Sequence, residues 1–316
     1  MAVNAPAAPA PARAQEIRGI RRQWASVLWA AARTPRGAIG LGLALALLIA
    51  ALAVIGPWVT PYQPNALLTL PFAKPSAHLL LGADFIGRDA LSRVLDGGWL
   101  LLLMATAATA LGVILGAAAG VSAAYLRGVS DGIIMRTIDV ILSFPQLVFA
   151  LLLLSVIGPK LWLIVLAVAL SHAPQVGRVL RSATLDVSEQ DYVKAAELQG
   201  MRPAKVMMKE IMPNLISPLM VEVGLRLTYS IVIIAGLAFL GFGQQPPASN
   251  WGSMINDNRI GLSLNPWAVI VPALLIALLT VGVNTFTDAV ARVAIGVERR
   301  PEEAALLDDL GPREAA

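Results

Sequence analysis

Two pairs of opposite charge stand inside otherwise apolar stretches: Arg136 with Asp139, three residues apart, and Glu222 with Arg226, four apart. On a helix either spacing puts both side chains on one face, which lowers the cost of holding charge near a bilayer. Structural pairing or headgroup contact suits such pairs, as does a share in a gate or an intersubunit contact. Arg136 lies near a helix end and can snorkel, whereas Glu222 and Arg226 lie deeper and should face protein or a water-filled gap. Phe144, Pro145 and Gln146 form a second feature. Pro145 has no N–H to donate, so it bends its helix and frees a carbonyl. Phe144 or Gln146 would then narrow a central route, or serve as a packed aromatic and an intersubunit amide. Covalent and metal chemistry has little to work with. The chain has no cysteine, which excludes disulfides, thiol nucleophiles and thiolate metal sites. His78 and His172 are far apart and belong to no short ligand motif, so each reads as an interface or hydrogen-bonding histidine. No glycine-rich, lysine-containing loop is present to cradle ATP, so any hydrolysis belongs to a partner.

The elements that position these residues follow from composition. Of 316 residues, 57% are hydrophobic and 14% charged, which rules out an ordinary soluble globule and a nucleic-acid-binding tail. The predicted fold is an all-α polytopic membrane protein with six transmembrane helices. The spans read as Ala38 to Val59, Trp99 to Tyr125, Ile133 to Ile157, Leu161 to about Gly177, Leu215 to Gly243, and Pro266 to about Ile295. Pro145 and Pro174 interrupt helical stretches, so a five-span or re-entrant variant stays open. Residues 1–14, alanine and proline with one arginine, read as a disordered tail, and 15–37 as an amphipathic cytoplasmic leader or a solvated basic one. Residues 38–295 make the membrane domain, with an external segment at 60–98 and a polar insert at 178–213; 296–316 is a charged tail.

Orientation follows from counting basic residues. With the N-terminus cytoplasmic, residues 1–37 supply six, the 178–213 insert six and the tail from Arg292 four, against three in 60–98 and one in 244–265. Both termini are therefore expected inside. Trp58, Trp99, Trp162 and Trp267 then all fall at the external interface, where indoles anchor.

The insert carries the strongest signal. Tyr192, Ala195, Ala196 and Gln199 recur at helical spacing, placing two small alanines on one face for close approach of another surface. Gly200 breaks this helix. Pro203 suits a first helical position, and Val206, Met207, Ile211 and Met212 make a second apolar stripe that Pro213 ends. Such a hinged knuckle either packs under its own bundle or docks into a separate cytoplasmic protein and passes force to the spans.

The segment DYVKAAELQGMRPAKVMMKEIMPNLISPL, with its Ala-Ala pair, Gly200 and Pro213, resembles the coupling motif of permease subunits of ATP-binding-cassette importers. Lys194 stands where that motif usually has Glu, and Glu210 where it is more often apolar or His. LGADFIGRDALSRVLDGG, MRTIDVILSFPQLVFAL and LAFLGFGQQPPASNWGSMI extend the resemblance over about 33–296, to the second permease subunit of dipeptide and oligopeptide importers. The resemblance implies a homologous second permease, two cytoplasmic ATPases carrying ATP and Mg2+, an external substrate-binding protein, membrane lipid and a small peptide cargo, in the cell inner or plasma membrane. It also implies an ATPase-coupling role for Tyr192, Ala195, Ala196, Gly200, Met201, Pro203, Val206, Met207 and Pro213. Phe144, Pro145, Gln146, Glu222 and Arg226 become pathway or gate candidates. Asp84, Gly87, Arg88, Asp89, Gln244 and Trp251 would seal the external end or receive the delivery protein, or simply hold a scoop-like connection against the spans. Nickel, glutathione or another small solute is an alternative cargo. An ion-coupled secondary transporter and a membrane scaffold are the rival classes.

Overall fold

The computed structural model describes residues 37–294. The expected tail at 1–14, all but the last residue of the leader at 15–37, and the tail at 296–316 lie outside the described residues. The described chain is helical, with two isolated bridges, Leu67 with Arg88 and Ala83 with Asp89. Its long elements are α1 (Gly37–Ile55), then, after the short α2 (Ala90–Asp96), α3 (Trp99–Leu126), α4 (Gly128–Leu142), α5 (Gln146–Ile157) and α6 (Leu161–Ser188). The short α7 (Asp191–Leu198) and α8 (Pro203–Val206) lead into α9 (Ile216–Leu237), and α10 (Trp251–Asn258) precedes α11 (Trp267–Ala294). Four stretches are long and apolar enough to cross a membrane: Ala90–Leu126, Leu161–Ser188, Pro203–Phe242 and Trp267–Ala291. A fifth is added if α4 and α5 form one broken span. The chain is an all-α polytopic membrane protein.

The α3–α6 pair is the most extensive helix contact, and glycines make it close. Gly112, Gly116 and Gly120 recur every four residues and so share one face of α3. A Cβ at Gly112 would lie 2.9 Å from the Ala169 carbonyl oxygen, and one at Gly116 2.5 Å from that of Ala173. Lipid tails are as apolar as leucine, so helices in a membrane associate by this kind of close backbone packing rather than by the hydrophobic effect. Gly42 and Gly282 do the same where α1 crosses α11, against Thr285 and Ala46. A central core of Leu101, Met104, Leu154, Ile164, Ile231, Ile234 and Leu237 joins α3, α5, α6 and α9.

Several boundaries differ from expectation. The third span, expected as one helix from Ile133 to Ile157, is two, α4 and α5, bent by 88° across Ser143–Pro145. Pro145 takes an extended ψ of 133° as the residue before α5, and its missing donor makes a full break cheaper than a gentle kink. Pro174, by contrast, interrupts nothing: α6 runs through it and on past Gly177 to Ser188. The first part of the 178–213 insert is thus the stem of the fourth span. Nor does Pro213 end the second stripe. The chain stays helical from Pro203 through a wide turn at Met207–Ile211 and a tight one at Met212–Leu215 into α9. Pro213 stands in the first turn of the tight segment, directly after the wide turn has interrupted the regular α hydrogen-bond ladder, so its missing donor is tolerated there.

Candidate functional site

Three regions hold the residues singled out from the sequence. The first is the knuckle between α6 and α9. Its interior is Val193, Ala196, Val206, Ile211 and Leu215, packed with Val121 of α3. Tyr192, Ala195 and Gln199, at i, i+3 and i+7, face outward, and Leu198 at the tip is 90% exposed. The two alanines therefore do not share a face: Ala196 belongs to the buried stripe with Val193, and Ala195 is exposed. One hundred degrees per residue separates neighbours, so adjacent alanines could share a face only at its edge. Gly200 has φ +77°, its N–H donates to the Glu197 carbonyl, and the Met201 N–H donates to that of Ala196. This pair of bonds with a left-handed residue is the Schellman end of a helix, and it folds Met201 back onto the knuckle's core. Pro203 is exposed as the first residue of α8, Met207 half-buried and Pro213 half-buried.

Ion pairs tie the same end of the molecule together. Arg181 grips Asp131 with two hydrogen bonds of 2.6 Å, joining α6 to α4. Asp139, expected beside Arg136, instead accepts from Arg178 at 2.6 Å, because α6 crosses α4 there. Arg127 reaches Glu189 at 2.6 Å, and Lys194 lies 3.7 Å from the same carboxylate. The hydrogen bond from Arg127, then its charge and that of Lys194, hold the Glu189 carboxyl below the ordinary carboxylate range. This link is complete above the unfolded pKa of a glutamate and weakens as pH falls through the lowered value. The bidentate Arg181–Asp131 pair carries a prediction. Either Arg181→Ala or Asp131→Ala should cost about 1 kcal/mol, discounted for partial exposure, and the charge swap Asp131→Arg with Arg181→Asp should recover part of it. A double-mutant cycle on unfolding in detergent measures this; a coupling energy of zero would remove the pair from the architecture.

The second region surrounds the break between α4 and α5. Ile141, Phe144, Pro145, Gln146, Phe149, Gln175, Arg226 and Tyr229 border a cavity of about 410 Å³. Glu222 and Arg226, one turn apart on α9, are both buried and pair at 3.0 Å, as their spacing required. Behind the cavity a buried polar chain crosses four helices. Gln146 approaches His172 Nδ1 at 3.5 Å, His172 Nε2 pairs with Ser230 Oγ at 3.0 Å, and Ser230 meets Thr109 at 2.9 Å. His172 is thus a hydrogen-bonding histidine. His78 is exposed and lends only its carbonyl, to the Tyr62 hydroxyl.

The third region is the cap made by 60–98 and 244–266 at the other end of α3 and α9. Asp84 accepts from Arg88 Nε at 2.7 Å and from the backbone N–H of Ile86 and Arg88. Asp89 caps α2 by accepting from the Ser92 N–H at 2.9 Å. Gly87, with φ +92°, turns the chain between them. Trp251 is fully buried and donates from Nε1 to the Val94 carbonyl at 2.7 Å, and Asn258 and Asn265 bind the backbone of 81–85. Gln244 is half-buried. Asp84, Arg88, Asp89 and Trp251 therefore face inward and hold the cap together. Sequence reading passed over Arg93, the cap's centre. It is 2% exposed, lies 3.4 Å from Asp84, and reaches the carbonyls of Pro64, Pro247 and Ala248 at 3.3–3.4 Å. Burial raises the Asp257 carboxyl above the ordinary range, with Arg93 and Arg88 drawing it back. An arginine between glycine-rich turns was the available signal, but nothing local distinguishes it from Arg88.

A membrane bundle with a two-faced knuckle at one end and a cross-linked cap at the other matches a known family model over residues 97–294, that of the binding-protein-dependent transport system inner membrane component. The chain belongs to this family. Full-length relatives agree. A putative peptide transport system permease of Brucella suis is 33% identical over 82% of this chain and 87% of its own length. A di/tripeptide transport system permease of Pseudomonas aeruginosa is 34% identical over 82% and 88%. A glutathione transport system permease of Pectobacterium atrosepticum is 31% identical over 86% and 90%. Membership makes the chain a permease subunit of a multi-subunit ATP-binding-cassette importer, a transport component rather than an enzyme.

Proposed function

We propose that this permease forms half of a membrane pathway with a homologous second permease and imports short peptides or peptide-like solutes delivered by an external binding protein. Peptide, di/tripeptide and glutathione systems among its relatives support that cargo class. Six spans follow if α1 and the bent α4–α5 pair each cross beside the four longer stretches. Both termini then lie in the cytoplasm, and the cap of 60–98 with 244–266 lies outside, where its exposed Leu67, Leu70 and Ile260 offer contact to the delivery protein. ATP and Mg2+ bind two partner ATPases beneath.

The two-faced knuckle carries this reading. Its inner face is locked to α3 and the stem of α6, while Leu198, Tyr192, Ala195 and Met208 stand exposed. An apolar tip at the cytoplasmic surface would suit a groove in a partner, and motion of the tip would pass through the Schellman turn into α6 and α9. ATP-driven closure of the partners would thereby change which side of the pathway is open. Leu198→Asp tests it. With the side chain 90% exposed, folding should be untouched. Association with the ATPases should weaken about 30-fold, as for a hot spot of roughly 2 kcal/mol, and ATP-driven uptake in proteoliposomes should fall with it. Uptake at the wild-type rate by a well-assembled Leu198→Asp complex would overturn the coupling role.

A further inference from the structure

Arg226 stands midway along α9, a membrane-crossing helix, with part of its guanidinium unclaimed. Nε donates to Glu222 at 3.0 Å and Nη1 to the Gln175 side-chain Oε1, while Nη2 has no partner among the described residues. The guanidinium lies 5.6 Å over the Tyr229 ring and borders the cavity at the α4–α5 break. The same wall holds further donors. Gln175, with its oxygen given to Arg226, has its amide NH2 left over. The Gln146 amide makes only long contacts, 3.4 Å to the Ser171 carbonyl and 3.5 Å to His172. The Tyr229 hydroxyl has no partner among the described residues. No carboxylate lines the cavity, and Glu222 is held on the guanidinium's Nε. A buried arginine at mid-membrane is costly and marks function by default.

We propose that this cavity is a transit subsite for the carboxylate end of the cargo, with Arg226 Nη2 and the Gln175 and Gln146 amides as its donors and the Phe144 and Phe149 rings, 6.5 Å apart, beside the cargo's side chains. The inference rests on the reading of the chain as half of a cargo pathway and adds the chemistry that pathway recognises. A volume of about 410 Å³ lies within the roughly 300–1,000 Å³ of small-ligand sites. Glu222 already claims one edge of the guanidinium, so a second carboxylate shares the cation. The hold is weak, as a conduit requires if cargo is to leave as well as enter.

The complete permease–ATPase complex in nanodiscs, without delivery protein, tests this by saturation-transfer NMR with dialanine and dialanine C-terminal amide as probes. Dialanine should bind about tenfold more tightly than the amide, the equivalent of one hydrogen bond to a charged group. The double variant Glu222→Gln with Arg226→Gln, which leaves no orphaned buried charge, should abolish that preference. Gln175→Leu, which leaves the ion pair in place, should reduce it. Equal binding of the two probes by the wild type, or an unchanged preference in the double variant with ATPase activity showing an intact complex, would overturn the subsite. ATP-driven uptake measured on the same wild-type complex with its delivery protein separates the two claims. Uptake without a carboxylate preference sinks the subsite alone, whereas a carboxylate preference without ATP-driven uptake sinks the importer reading.

Discussion

Arg93→Ala is expected to unfold the cap of 60–98 and 244–266 while leaving the membrane bundle helical. The side chain is 2% exposed and shares one positive charge among Asp84, the Asn65 side chain and three backbone carbonyls from two separate loops. Truncation would leave the fully buried Asp84 short of a charged partner while the more exposed carbonyls turn to water, so the loss should lie at the lower end of the range for breaking a buried pair from one side, about 3 kcal/mol. Arg88 remains to pair with Asp84, so the loss falls mainly on the junction between 60–98 and the loop at 247–248. Arg93→Lys should rescue little, because a single ammonium cannot reach acceptors spread around a planar fork. Limited proteolysis of the purified protein at the cap measures this, with circular dichroism to follow the bundle. A variant whose cap resists protease like the wild type would refute the assignment of Arg93 as the cap's centre.

Gly116→Val is expected to separate α3 from α6 and to lower the yield of folded protein sharply. The new Cβ would lie 2.5 Å from the Ala173 carbonyl oxygen and 2.6 Å from Val176 Cβ. Backbone cannot swing aside as a long side chain can, so the strain should reach the upper end of the overpacking range, about 3 kcal/mol. Gly132→Val on α4 is the internal control, since nothing lies within 4 Å of its added Cβ. Denaturant titration in detergent should show a large loss of stability for the first and almost none for the second. Equal behaviour of the two would mean that close α3–α6 contact does not hold this bundle together.

Much of the molecule was legible before its structure. Long apolar runs and sparse charge require helices that satisfy their own backbone in lipid. The proline- and glycine-rich 60–98 and the polar 244–265 were expected on one side, and they do pack together, through Trp251 with Val94 and Asn258 with Phe85. The Glu222–Arg226 pair was legible because its spacing lies within one helix. The Gly112, Gly116 and Gly120 series was equally available at spacing four and passed unread.

What the sequence by itself determined is what depends on neighbours along the chain: helical periodicity, the Gly200 turn, the membrane class and the charge pair on α9. Tertiary structure decided what depends on how helices cross. Asp139 takes Arg178 rather than Arg136, Ala195 is left exposed while Ala196 is buried, and Arg93 rather than Arg88 gathers the cap. The 88° break at Pro145 sets Gln146, Gln175, Arg226 and Tyr229 around one cavity, although they come from three helices. Local energetics name the residue that can break a helix. The angle of the break and the partners of each buried charge are chosen by packing between segments that are distant in sequence, where one-dimensional spacing carries no information about distance.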